Sequence, residues 1–239
     1  MNALHQTCSA LEVRALQGGW GQTTVVDGVS LAVRAGETVS VIGRNGVGKT
    51  TLLELIMGRA QRQAGEIIVG DIDCSAARTY LRSDTGLGYV PQEREVFPSL
   101  TVKENLSVAK RPGAWNEERI FGLFPRLAER SKSMGWQLSG GEQQMLSIAR
   151  ALMGNPRVLL MDEPTEGLAP VIVEQLIEIL ASVVADGTLA VLLVEQRVDI
   201  VLNLASRCLF MDRGQIVHDE PSASLRNDTE RLAQLIGLD

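Results

Sequence analysis

Aromatic residues make up only 4% of this 239-residue chain. A core with so few rings is mainly aliphatic, and the 45% hydrophobic content is enough to build one. Cysteine is scarce as well. Cys8, Cys74 and Cys208 are odd in number, far apart, and match no zinc or redox spacing. They read as small buried hydrophobes of a reducing compartment. No apolar run approaches the roughly 20 residues that a membrane helix needs. The first thirty residues carry Glu12, Arg14 and scattered polar groups where a signal peptide would have an apolar block. These absences predict a cytoplasmic chain whose link to a membrane, if any, goes through a partner. Basic excess is missing too. The net charge of −6 argues against nonspecific nucleic-acid binding, which favours a basic face. No long repeat, coiled coil or low-complexity segment appears. The length fits one large domain or two small lobes.

What is present begins with Gly43-Arg44-Asn45-Gly46-Val47-Gly48-Lys49-Thr50, which fits G-x-x-x-x-G-K-[ST] at every fixed position. The β-branched run Glu37 to Ile42 before it reads as a buried strand. Thr51 to Met57 after it reads as a helix stopped by Gly58. Unpaired N–H groups and the helix dipole favour phosphate at such a helix start. Gly46 and Gly48 let the backbone approach the anion. Lys49 supplies charge for the β- and γ-phosphates, and the Thr50 hydroxyl can ligate Mg²⁺. The plainer alternative is a glycine-rich turn before an ordinary helix. That turn has no need of Lys-Thr after its last glycine.

A second apolar run, Val158 to Met161, ends in Asp162-Glu163-Pro164. Two acids at a strand end lie at the carboxyl edge of a parallel sheet, where open α/β sheets bind ligands. Asp162 would hold Mg²⁺, and Glu163 would polarise an attacking water as general base. The alternative is a solvated acidic turn capping the next helix. Leu138-Ser139-Gly140-Gly141-Glu142-Gln143-Gln144 then precedes a strong helix pattern over Met145 to Met153. Ser139 reads as its N-cap, so Ser139, Gly140 and Gly141 form a second anion site unless they are only a cap and hinge.

The remaining chain is organised around these motifs. Leu11 to about Gly36 alternates apolar and polar residues between glycine turns, as an antiparallel piece would. Gly65 to Gly70 is a further short strand. The stretch 85–155 carries several helical segments. Thr101 and Glu104 form a capping box, and Asn116 to Phe124 is amphipathic until Pro125 ends or bends it. Val171 to Val184 is helical, Leu189 to Val194 a strand, and Arg197 to Leu204 a helix. Cys208 to Met211 and Gln215 to Val217 form a hairpin. A last helix covers Glu230 to Ile236.

With both phosphate-binding turns in this order, the chain resembles an ATP-binding cassette (ABC) protein over nearly its whole length. The resemblance implies an α/β phosphate-loop NTPase fold, with a RecA-like mixed-sheet core, an antiparallel β lobe and an inserted helical lobe. Residues 1–84 and 156–239 would form the nucleotide-binding core with its β lobe, and 85–155 the helical lobe. It implies ATP and Mg²⁺ as ligands. Gly43, Arg44, Asn45, Gly46, Val47, Gly48, Lys49, Thr50 and Thr51 would wrap the phosphates. Ser139, Gly140 and Gly141 would act across a dimer on the partner's ATP. Tyr89-Val90-Pro91-Gln92 resembles the family's glutamine loop, with Gln92 reaching Mg²⁺ and the attacking water. Trp20 sits where the family stacks an aromatic on adenine; simple packing is its alternative. Val96, Phe97, Pro98 and Leu100 would line the groove that docks a membrane subunit, or else belong to the helical core. The implied partners are a second cassette, identical or different, two membrane permease subunits and, indirectly, an extracytoplasmic solute-binding protein. Nucleic acid is not among them.

Two positions depart from the family pattern. Gln196 stands where a His is usual, and the two histidines, His5 and His218, lie elsewhere. Gln196 can donate a hydrogen bond to γ-phosphate but carries no proton charge. Ala169 replaces a usual Asp. Val194-Glu195-Gln196 and Gly167-Leu168-Ala169-Pro170 look like the ATPase subunits of branched-chain amino acid importers. Pro91 to Pro98 and Glu163 to Gly167 are also similar to the related urea and short-amide importers. Two other readings stay open: a soluble cassette ATPase of DNA repair, chromosome maintenance or translation, and a weakly hydrolysing regulatory cassette.

Overall fold

The computed structural model describes residues 9–226 and 228–237, so Cys8 and His5 lie outside it. The alternating N-terminal segment is two long antiparallel strands, β1 (Ser9–Trp20) and β2 (Thr23–Arg34). Alternation along β1 breaks after Val13, where the register shifts and Ala15 takes φ +44°. The bulge turns Leu16 back to the buried side. Strand β3 (Thr38–Ile42) is buried at every position. Helix α1 (Lys49–Met57) begins at the loop's own lysine, two residues before the Thr51 expected from pattern. It ends on left-handed Gly58. Buried Arg82 donates to the α1 carbonyls of Leu55 and Ile56 at 2.8 and 2.6 Å, a cation at the negative end of the helix dipole.

Strand β4 (Gln61–Val69) is longer than expected and contains Gly65 at φ +89°, whose Cβ would lie 2.4 Å from the Ala15 carbonyl oxygen. Only glycine lets β4 pass the β1 bulge. With β5 (Ile72–Asp73) these strands make a four-stranded antiparallel sheet ordered β2-β1-β4-β5. A short helix, α2 (Thr79–Arg82), leads to β6 (Leu87–Val90). Strand β6 corrects the expected lobe boundary: it pairs in the core sheet, so the helical part starts after Val90 and not at residue 85.

The helices that follow are α3 (Val102–Val108), α4 (Glu117–Leu123), α5 (Pro125–Glu129) and α6 (Gly140–Met153). Thr101 and Glu104 make the expected capping box, and Pro125 stops α4 and starts α5. The chain then runs through β7 (Val158–Asp162), α7 (Pro170–Ala185), β8 (Ala190–Val194), α8 (Val198–Leu204), β9 (Arg207–Asp212), β10 (Gln215–Pro221), α9 (Ser222–Leu225) and α10 (Thr229–Ile236). The second sheet is ordered β10-β9-β3-β8-β7-β6, parallel throughout except for β10.

Both faces of that sheet are covered, and β7 shows how. Val158 and Leu160 enter one core with α1 and the antiparallel sheet, while Leu159 and Met161 enter another with α3, α6 and α7. Continuous apolar strands follow from burial on two sides. A third, smaller core gathers Ile42, Phe210 and Leu225 beneath α10.

Candidate nucleotide site

Strands β3, β7 and β8 lie side by side and parallel, so their carboxyl ends open at one edge. From β3 the chain enters the glycine loop. Gly43 is forced by packing, since a Cβ there would lie 2.3 Å from the Met211 carbonyl oxygen of β9. Gly46 and Gly48 take φ +82° and +109°, and the second caps α1 from a left-handed conformation. Lys49 Nζ donates to the carbonyls of Gly43 and Arg44 at 2.8 and 3.0 Å. Its third N–H is left for an anion. Burial lowers the Lys49 pKa, while Glu163 and Asp162 raise it.

At the end of β7, Asp162 is fully enclosed. Its Oδ1 accepts from the Thr50 hydroxyl at 3.2 Å, and its buried Oδ2 has no partner. Burial pushes its pKa up to about 6; Glu163 and Glu54 add to the rise, and Thr50 and Lys49 oppose it. An unpartnered carboxylate oxygen beside a hydroxyl suits a hard divalent cation. Among the described residues no group of three His, Cys, Asp or Glu gathers as a metal site. Water and phosphate oxygens would therefore complete the coordination of Mg²⁺, the usual arrangement for that ion.

Glu163 follows at φ +45°, unusual for a residue with a side chain. Its N–H donates to the Val194 carbonyl at 2.8 Å, and its Oε2 accepts from Gln196 Nε2 at 2.6 Å. Gln92 Nε2 donates to Glu166 Oε2. A cavity of about 280 Å³ is walled by the glycine loop, Lys49, Thr50, Thr51, Gln92, Glu163 and Gln196.

The structure thus brings most of the sequence-expected residues together. Gly43, Arg44 and Val47 do not line the cavity: the carbonyls of the first two accept from Lys49, and the Val47 carbonyl accepts from Gly214 N. Trp20, at the end of β1 and 52% exposed, does not line the cavity. Neither do Ser139, Gly140 and Gly141 at the start of α6. Ser139 makes a capping box with Glu142, donating to its Oε2 at 2.8 Å through both N and Oγ. A Cβ on Gly141 would lie 2.8 Å from Ile172 of α7. Of Val96, Phe97, Pro98 and Leu100, Phe97 alone lines the groove of about 610 Å³ beside β6. Two residues that line the cavity carry no role expected from the sequence: Val25 and Glu166. Glu166 stands in a conspicuous acidic turn, the one available signal. Val25 reaches the cavity from the other sheet, which no local pattern reveals.

A glycine loop at a helix start, beside a strand tipped by two acids, defines a phosphate-loop nucleotide hydrolase. Comparison with known proteins narrows the class. The family described as ABC transporter matches residues 26–166. The branched-chain amino acid transport ATP-binding protein BraG of Pseudomonas aeruginosa is 40% identical over 91% of this chain and 96% of its own length. The lipopolysaccharide export ATP-binding protein LptB of Escherichia coli is 33% identical over 92% and 94%. A nucleotide-free cassette from an ABC transporter superposes with a TM-score of 0.82, at 26% identity, over 95% of this chain and 98% of that one. A dimeric cassette bound to ADP and phosphate superposes at 0.77, also with 26% identity, over 89% and 98%. The chain belongs to the ABC transporter family. It is an ATP-binding transporter subunit that hydrolyses ATP.

Proposed function

We propose that this chain powers an importer of branched-chain amino acids or of a related small polar solute such as urea or an amide. The observation that carries the cargo class is the 40% identity to BraG across almost the full length of both chains. Relatives named for lipopolysaccharide export, cystine transport and glutamate/aspartate import are 33–35% identical.

Two copies, or this chain and a second cassette, enclose two ATP molecules. Each phosphate loop faces the Ser139 turn of the other subunit, which gives this exposed helix start its purpose. Trp20 stacks on adenine. Lys49 and the loop N–H groups hold the phosphates. Thr50, Asp162 and Gln92 hold Mg²⁺, which supplies charge neutralisation at the γ-phosphate. Glu163 orients and deprotonates the attacking water, and Gln196 holds that carboxylate by its amide.

The groove containing Phe97 receives a permease segment. It pairs an apolar rim, Phe97 and Val108, with Arg59 locked bidentately to Glu95 and Arg150 lying 5.1 Å from the Phe97 ring centroid. No described helix is long and apolar enough to cross a membrane, which fits a subunit held on the inner face by its permeases. A solute-binding protein outside the membrane would deliver cargo to them. The test is Glu163→Gln, examined in two assays. The variant is expected to accumulate as an ATP-bound dimer on size exclusion, and cells carrying it to lose uptake of labelled leucine or urea. Unchanged uptake of both solutes would overturn the cargo assignment.

A further inference from the structure

Among the described residues three carboxylates are buried: Asp162, Glu163 and Glu195. The first two belong to the reaction site. Glu195, just past β8 and 2% exposed, has no part in it so far and does not line the cavity. Burying a carboxylate is costly unless its oxygens are well hydrogen-bonded, so its partners show what it is for.

Those partners divide cleanly. Oε1 accepts from the Thr165 N–H at 3.2 Å and from the Thr165 hydroxyl. Oε2 accepts from the N–H groups of Gln196 and Arg197 at 2.9 and 3.2 Å. One carboxylate therefore ties the 163–166 turn after β7 to the 195–197 turn after β8. Each turn carries a residue of the reaction pair, Glu163 on the first and Gln196 on the second. The 163–166 turn also carries Glu166, the partner of Gln92. Glu163 sits at φ +45°, a conformation that persists only when its surroundings hold it. Thr165, anchored two residues further on, is such a hold.

We propose that Glu195 is a positioning residue. Through Thr165 and the backbone of Gln196 it sets the placement of the Glu163 carboxylate against the Gln196 amide. It governs turnover and leaves ATP affinity almost untouched. The inference rests on the ATPase reading of this site. A wild-type chain without turnover would fail that reading, whereas an active wild type with an indifferent Glu195 fails only the inference.

Steady-state ATP hydrolysis decides it. In Glu195→Gln one pair of donors meets an amide NH₂ in place of an acceptor. Displacements of an ångström cost up to about a hundredfold in rate, and a loosened turn is expected to lose roughly tenfold in kcat with KM within about twofold of wild type. Thr165→Val, which removes the hydroxyl at equal volume, is expected to lose kcat in the same way. Thr165→Ser, which restores the hydroxyl, is expected to return to near the wild-type rate. If Glu195→Gln does not fold, the Thr165 pair carries the test. The double variant is expected to be no slower than Glu195→Gln alone, because the Thr165 hydroxyl acts through the Glu195 carboxylate. A kcat within twofold of wild type in Thr165→Val overturns the proposal even if the melting temperature falls. So does a loss confined to KM, or a double variant whose losses multiply.

Discussion

Replacing Asp162 by Asn isolates the cost of placing an enclosed carboxylate under the phosphate loop. The folded chain holds its proton until about pH 6, chiefly because burial disfavours the anion, against an ordinary value of 3.8. Between these values the folded state binds more protons than the unfolded one. The contribution of Asp162 to stability therefore falls as pH rises through the window from about 4 to 6, and is constant above it. Roughly two pKa units at 1.36 kcal/mol each amount to about 3 kcal/mol. Asn keeps an acceptor for the Thr50 hydroxyl and does not titrate. Urea unfolding of both proteins between pH 4 and 8 reads the difference, and shared titrations cancel. The advantage of the variant is expected to grow by up to about 3 kcal/mol across the window. Saturating magnesium nucleotide is expected to stabilise the wild type far more than the variant, since a divalent cation favours the anion. A stability difference that stays constant from pH 4 to 8 would refute the reasoning.

Two further outcomes follow from the same geometry. Trp20→Ala is expected to weaken nucleotide affinity by about 1–3 kcal/mol, the value of base stacking on an aromatic, while Trp20→Tyr retains it; fluorescence titration with an ATP analogue measures both. Phe97→Asp, at an exposed groove position, is expected to leave ATP hydrolysis by the purified chain within about twofold. It should abolish co-purification with permeases from membranes, and undiminished co-purification would remove the groove from the docking surface.

Much of the site could be read from local sequence because its parts are local. The Gly43 to Thr50 loop, the Thr101–Glu104 and Ser139–Glu142 caps and the acids ending β7 each act within a few residues. What Glu195 and Gln196 bond to could not be read in this way. Their partners, Thr165 and Glu163, are thirty or more residues away and meet them only because β7 and β8 pair. For the same reason β6 was hidden inside a helix-rich stretch, since four residues carry too little periodicity to declare a strand. The β1 bulge at Ala15 and its answering Gly65 also depend on a pairing across the sheet. Pattern alone made Gly65 a strand start; it is the point where two backbones cross closely.

The strand order has a consequence for the timing of synthesis. Val39 pairs with Leu192, 153 residues later, between the strands that bring Lys49 and Gln196 to one cavity. At roughly 5–20 residues per second, the ribosome needs on the order of ten to thirty seconds to make the intervening chain. During that time the phosphate loop can exist without Asp162, Glu163 or Gln196 beside it. A nascent chain can therefore meet cellular ATP well before it is able to spend it.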